Sequence, residues 1–161
     1  MAKDFTLKKK LMFIGITLLV MAMFSITFTL WVTWKLEGGA AAINEAGRMR
    51  MQTYQLALLA NHDKKHQVMD LVGGFDKSLS LLSLGDPARP LFVPWNEFNK
   101  VEFAGIQNDW LEIKSILVSS QYQTLSATYA ESFVKRIDRF VSSIETEVDY
   151  WTGLLHLFQF F

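Results

Sequence analysis

Two arginines, Arg48 and Arg50, stand in the run Ile43 to Tyr54, INEAGRMRMQTY, and of all residues in the chain their type and spacing most suggest chemistry. A guanidinium is a permanent cation with paired, coplanar donors, suited to a planar oxyanion or a carboxylate. At i and i+2 on a helix the two side chains point to nearly opposite sides. At roughly 100° per residue, Arg48 shares its side with Asn44, Glu45, Gln52 and Gln55, which reads as a solvated face where Arg48 pairs loosely with Glu45. Arg50 shares its side with Ile43, Ala46, Gly47, Thr53, Tyr54 and Ala57, a cation among small and apolar neighbours. A charge so placed must pair, reach water or bind an anion, because desolvating it alone is costly. No acidic residue lies three or four positions from Arg50. Two readings follow: an acid from another helix satisfies it, or Arg50 beside the small Gly47 forms an anion site where helices meet.

Other clusters are weaker. His62, Asp63, His66 and Asp70 have a spacing that could present metal ligands, yet they fall at an expected turn, where polar residues belong anyway, and no metal site is assigned. Glu145, Glu147 and Asp149 read as a solvated face above membrane headgroups. The absence of cysteine excludes disulfides, thiolate metal sites and cysteine nucleophiles. There is no glycine-rich phosphate loop, metalloprotease helix, serine nucleophile elbow or kinase motif, so neither an enzyme nor a cofactor is expected in this chain. Lys3, Lys8, Lys9 and Lys10 crowd the start, opposed there only by Asp4. The remainder holds 12 basic and 15 acidic residues, without the basic stripe of a nucleic-acid binder.

The elements that must position these residues are helical. Leu11 to Trp34 carries no charge over 24 residues. At ~1.5 Å per residue a helix of that length crosses the ~30 Å hydrocarbon core. It is too long for the core of a cleavable signal peptide. Residues 1–10 are therefore expected in the cytoplasm, 11–34 as a transmembrane helix with Trp31 and Trp34 at an interface, and the chain after Lys35 outside. Residues 35–150 then form the periplasmic domain. From 151 the chain turns apolar again and resembles the start of a second span, with any output module lying beyond Phe161.

Between the spans four helical patterns can be traced. The first continues from the membrane helix to about Asn61, with Gly38-Gly39 as a soft point. The second, about Lys65 to Leu84, repeats Val68, Val72, Phe75, Leu79 and Leu82. The third, about Trp95 to Ser120, repeats Phe103, Ile106, Trp110, Ile113 and Leu117. The fourth, from near Ser126, repeats Phe133, Ile137, Phe140, Ile144, Val148, Trp151 and Leu155. These three-and-four intervals are the seam of bundle packing. The connections, near His62–Lys64, Gly85–Pro94 and Gln121–Ser126, are short enough to make neighbours antiparallel. The expected fold class is all-α: a membrane-anchored, up-down-up-down four-helix bundle.

The run INEAGRMRMQTYQLAL resembles the P-box of bacterial nitrate/nitrite sensor histidine kinases of the NarX/NarQ type, with supporting similarity in NDWLEIKSIL (Asn108 to Leu117) and FVKRIDRFV (Phe133 to Val141). In helix layout the chain is also similar to the sensor domain of type IV pilus-linked chemoreceptors. The P-box resemblance, at residues 43–54, implies a homodimer in the inner membrane whose two P-box helices meet at the symmetry axis. Nitrate or nitrite would lie between Arg50 of both protomers, with Gly47 adjacent. A response regulator would be reached only through a cytoplasmic kinase portion outside this sequence. The chain departs from that pattern at Arg48, where a small polar residue is more usual, and at Gln55, where a basic residue is common.

Overall fold

The computed structural model describes residues 7–59, 64–86, 88–118 and 125–159, and for Gln159 the backbone only. Four helices follow one another: α1 (Leu7–Leu59), α2 (Lys65–Leu84), α3 (Glu97–Val118) and α4 (Ala127–Gln159). By contacts the chain divides into two compact units, Met1–Trp34 and Lys35–Phe161, and each is described by itself.

Within the first unit α1 is apolar and exposed, and it is the one helix among the described residues long and apolar enough to cross a membrane. Two of its hydroxyls fold back onto the helix: Thr17 Oγ1 donates to Phe13 O at 2.9 Å and Thr27 Oγ1 to Met23 O at 2.8 Å. A hydroxyl satisfied by its own backbone suits a surrounding that offers no hydrogen bonds. Phe24 and Phe28 stack at 6.3 Å between centroids, and Trp31 continues that row.

In the second unit three contact series fix the packing directions. Arg48 meets Ser78 while Gln52 lies over Gly74, so α1 and α2 run antiparallel. Gly39 lies against Val148 and Arg50 meets Asp138, so α1 and α4 also oppose. Phe103 packs on Phe140, and farther along α3 Asp109 binds Arg136, which makes α3 and α4 antiparallel. These three relations leave α2 and α3 antiparallel as well. The unit is an up-down-up-down bundle.

The core is the one the spacing predicts as far as Val148, while Trp151 and Leu155, also expected on the α4 stripe, are half-buried outside it. Val68, Val72, Phe75 and Leu82 of α2, Phe103, Ile106, Trp110 and Ile113 of α3, and Phe133, Ile137, Phe140 and Ile144 of α4 are buried. Leu79, Leu117 and Val148 pack on them partly buried. Phe75 stacks on Trp110 with centroids 3.9 Å apart, and the Trp110 indole N–H donates to Asp76 Oδ1 at 2.8 Å, so the buried ring keeps a partner for its one polar atom.

Three of the described helix ends have a visible physical cause. Gly85 ends α2 with φ 81°, its N–H bonded to Leu81 O at 2.9 Å; a Cβ in that left-handed conformation would also stand 2.9 Å from Leu91 O. Asn96 caps α3 in a reciprocal box: its side chain accepts from Asn99 N and Asn99 returns the bond to Asn96 N, both at 2.8 Å. Ser126 caps α4 through Tyr129 N at 3.2 Å. The third helix therefore starts two residues after the sequence expectation. The parts of the expected turns at 60–63 and 119–124 lie outside the described residues, as do residues 1–6 and 160–161.

Gly38-Gly39 lies inside α1 without interrupting it. The missing side chains make room: the Phe92 ring occupies the space of a Gly38 Cβ, and Val148 Cγ2 lies 2.5 Å from that of Gly39.

Candidate functional site

The helix α1 brings Arg48 and Arg50 to two different places. Its inward face is Ala42, Glu45, Ala46, Met49, Gln52, Thr53 and Leu56, all buried. On the face expected to be solvated, Asn44, Arg48 and Gln55 are exposed and Arg48 pairs with Glu45 as expected, but Glu45 and Gln52 are buried. Glu45 is 2% exposed, held by Arg48 and by Arg89 Nη2 at 3.3 Å, and Arg48 also donates to Ser78 Oγ at 3.2 Å. A carboxylate tolerates burial there because two guanidiniums neutralise it and fill its lone pairs. Spacing alone could not show this, since Arg89 comes from the segment between α2 and α3. Gln52, also assigned to the solvated side, is buried, and its Oε1 accepts no hydrogen bond from the described residues.

Arg50 lies at the edge of α1 facing α4, where Nη1 donates to Asp138 Oδ1 at 2.8 Å. The side chains are 48% and 45% exposed. Of the two readings for this cation, the described structure takes the first: an acid from another helix pairs it. The environment is half solvated rather than apolar, because Ala46 and Thr53, expected on its side, turn inward. Asp138 could not be found from sequence, since nothing in the spacing of α4 marks which of its acids faces α1.

Gly47 has no described neighbour within 4 Å of where its Cβ would stand. It belongs to an outward row on α1, Ala40, Asn44, Gly47, Met51, Tyr54 and Leu58, spaced four and three alternately. Met51 is 54% exposed, Tyr54 50% and Leu58 69%. Small and apolar residues in a strict heptad phase are the pattern of a helix seam that meets a second helix. Sequence reasoning singled out Gly47 beside Arg50 but not this row, which separates from the core only once the inward face is known.

The remaining candidates do not form a site. His66 Nδ1 and Asp70 pair at 3.1 Å, both exposed, and a backbone hydrogen bond together with that carboxylate raises the imidazole above its usual value. His62 and Asp63 lie outside the described residues, and no metal-ligand cluster occurs among those described. Glu145 and Asp149 are exposed as expected, whereas Glu147 is half-buried and accepts from Asn96 Nδ2 at 3.0 Å. Between α3 and α4, Arg136 Nε donates to Asp109 at 2.7 Å and Arg139 Nε to Glu102 at 3.2 Å. Tyr129 beside them is pushed up to about 12 by burial and by the Glu112 carboxylate.

The described residues thus form an antiparallel four-helix bundle and an exposed apolar helix long enough to cross a membrane. Residues 31–133 match the family described as PilJ, the N-terminal domain of type IV pili methyl-accepting chemotaxis transducers. That is more than half of the chain, and the chain belongs to this family. The match supports a chemoreceptor-type sensor, in line with the second of the two resemblances, and not specifically a nitrate/nitrite kinase. No curated protein matches the chain.

Proposed function

We propose that this chain is the ligand-sensing head of a chemotaxis-transducer-type receptor, anchored in the bacterial inner membrane by residues 11–34 with its bundle on the periplasmic side, and active as a homodimer through the outward row of α1. The family match supports the receptor class. The single observation that carries the dimer is the exposed heptad of Gly47, Met51, Tyr54 and Leu58, which this chain leaves uncovered. The lysines at 8–10 preceding the apolar run favour a cytoplasmic start. In such a dimer a ligand that favours one arrangement of the two α1 helices shifts the population toward it, by no more than its difference in affinity for the two.

The chain has no cysteine, so oxidative cross-linking of single-cysteine variants in membranes tests the seam. Dimers should form at Gly47→Cys, Met51→Cys, Tyr54→Cys and Leu58→Cys and fail at the buried Met49→Cys and Leu56→Cys. Equal cross-linking at every position, or none in the row, overturns the proposed dimer.

A finer reading takes nitrate or nitrite as the ligand, held between Arg50 of two protomers with Gly47 allowing close approach. It is favoured by the likeness of residues 43–54 to the P-box and by the position of Arg50 next to the outward row. It requires Asp138 to give up its hydrogen bond.

A further inference from the structure

The segment between α2 and α3 is fastened to both terminal helices of the bundle, and unequally. On α1 it has two attachments. Phe92 lies in the notch left by Gly38, with its N–H 3.4 Å from Gly38 O and Lys35 Nζ 5.2 Å from the ring centroid. Arg89 reaches the buried Glu45 and also donates through Nε to Asp86 at 2.9 Å, whose carboxyl is held below its usual value first by the Ala88 N–H and then by that arginine. Leu91 and Val93 are buried between these points. On α4 the attachment is slighter: Asn96 Nδ2 donates to Glu147 Oε1 at 3.0 Å, and Trp95 stands 6.3 Å from the Phe140 ring. Next to the Phe92 notch, Val148 of α4 fills the space left by Gly39 of α1.

We infer that this connector is a clasp carried by α1, which fixes the axial register of α1 against α4, with the Asn96–Glu147 bond as its catch. The α1 side combines a backbone hydrogen bond, an aromatic ring seated on a glycine and a buried carboxylate with two arginine partners. No small sliding motion leaves all three intact. Among the described residues the α4 side shows a half-buried hydrogen bond and a distant ring contact, which can release and re-form without exposing the core. Sliding between α1 and α4 must therefore release the catch as well as the Val148–Gly39 contact, and the connector travels with α1. The inference concerns the bundle alone, and it holds whichever ligand the receptor senses.

The test measures axial register directly. In the full chain, Glu37→Cys on α1 and Glu131→Cys on α4 carry spin labels, diluted with unlabelled chain so that only the distance within one chain is read. Both positions are exposed. Because Asp138 opposes Arg50, the labels lie roughly 30 Å apart along the helices at the ~1.5 Å rise. The parent should give one narrow distance population. Glu147→Ala, which removes the catch, and Phe92→Ala, which empties the notch, should each broaden it by at least one helical rise, about 1.5 Å. Lys100→Ala, which breaks a surface pair with Glu97 outside the connector, should leave it unchanged. An unchanged narrow population in Glu147→Ala, with helical circular dichroism intact, overturns the inference. Glu147 is a half-buried residue on a long helix, so this variant decides the matter even where Phe92→Ala fails to fold.

Discussion

Replacing Asp138 with asparagine separates the ligand readings of this receptor. The carboxylate is the internal partner of Arg50, at 2.8 Å, with both side chains close to half exposed. An ion pair in that setting contributes about 0.2–1 kcal/mol. An oxyanion that takes the Arg50 guanidinium must first release Asp138, so its apparent affinity is lowered by the fraction of time the pair is closed. Since about 1.4 kcal/mol is tenfold, Asp138→Asn should tighten nitrate binding by up to about fivefold. Its effect on folding should stay under about 1 kcal/mol. Arg50→Ala should abolish binding, Arg50→Lys should weaken it severely because the charge survives without the paired donors, and Arg48→Ala should leave binding intact, since Arg48 points to Glu45 and α2. Calorimetric titration of the full chain in micelles, at fixed ionic strength, measures all four. Nitrate bound by the parent but no more tightly by Asp138→Asn refutes the competition argument. Strong binding by Arg50→Ala refutes the assignment of the arginine. No binding by any variant removes nitrate as the ligand and leaves the family membership untouched.

Three further expectations rest on other contacts. Asp76→Ala strands the buried Trp110 N–H without its acceptor and should cost about 1–3 kcal/mol, whereas Asp76→Asn, which keeps an acceptor, should cost less; urea unfolding followed by circular dichroism compares them. Among the α1 glycines, Gly47→Ala should stabilise an isolated protomer by up to about 1 kcal/mol through helix propensity, because no described atom opposes its Cβ. Gly39→Ala should destabilise by about 1–3 kcal/mol, since the branched Val148 cannot swing aside; thermal unfolding of the pair gives opposite signs. Tyr129, pushed up to about 12, stays neutral when exposed tyrosines ionise. A raised tyrosine value means that the folded state resists the charged form, so stability should decline as pH rises from the ordinary value of 10 toward 12. Absorbance titration should show a late phenol that Tyr129→Phe removes, and Glu112→Gln should bring it earlier.

Much of the fold was legible in the chain because it rests on local periodicity. The repeats of Val68 through Leu82, Phe103 through Leu117 and Phe133 through Val148 each mark one stripe of a helix, and all three stripes lie in or against the core. Lys65–Leu84 has the ends expected, since Gly85 is a stop that only a left-handed residue fills well. The start of α3 shifted because Asn96, inside the expected helix, forms a better cap than Trp95 can.

The first helix was read less well, and for a reason of the same kind. Its apolar positions are few and its small residues many, so a helical wheel could not tell core from seam. The wheel set Glu45 and Gln52 outside because they are polar, whereas both are inside. Order along the chain thus determined the class of this protein: an uncharged run long enough to cross a bilayer, and three further amphipathic helices with connections too short for anything but antiparallel neighbours. The pairing of Arg48 with Glu45 was legible from their spacing, but tertiary structure alone decided which charges meet partners on other elements. Arg89 on Glu45, Asp138 on Arg50 and Glu147 on Asn96 join residues more than forty positions apart. Hydrophobic burial follows a period that one helix carries within itself, but the partner of a charge is set by which helix lies alongside, at which height.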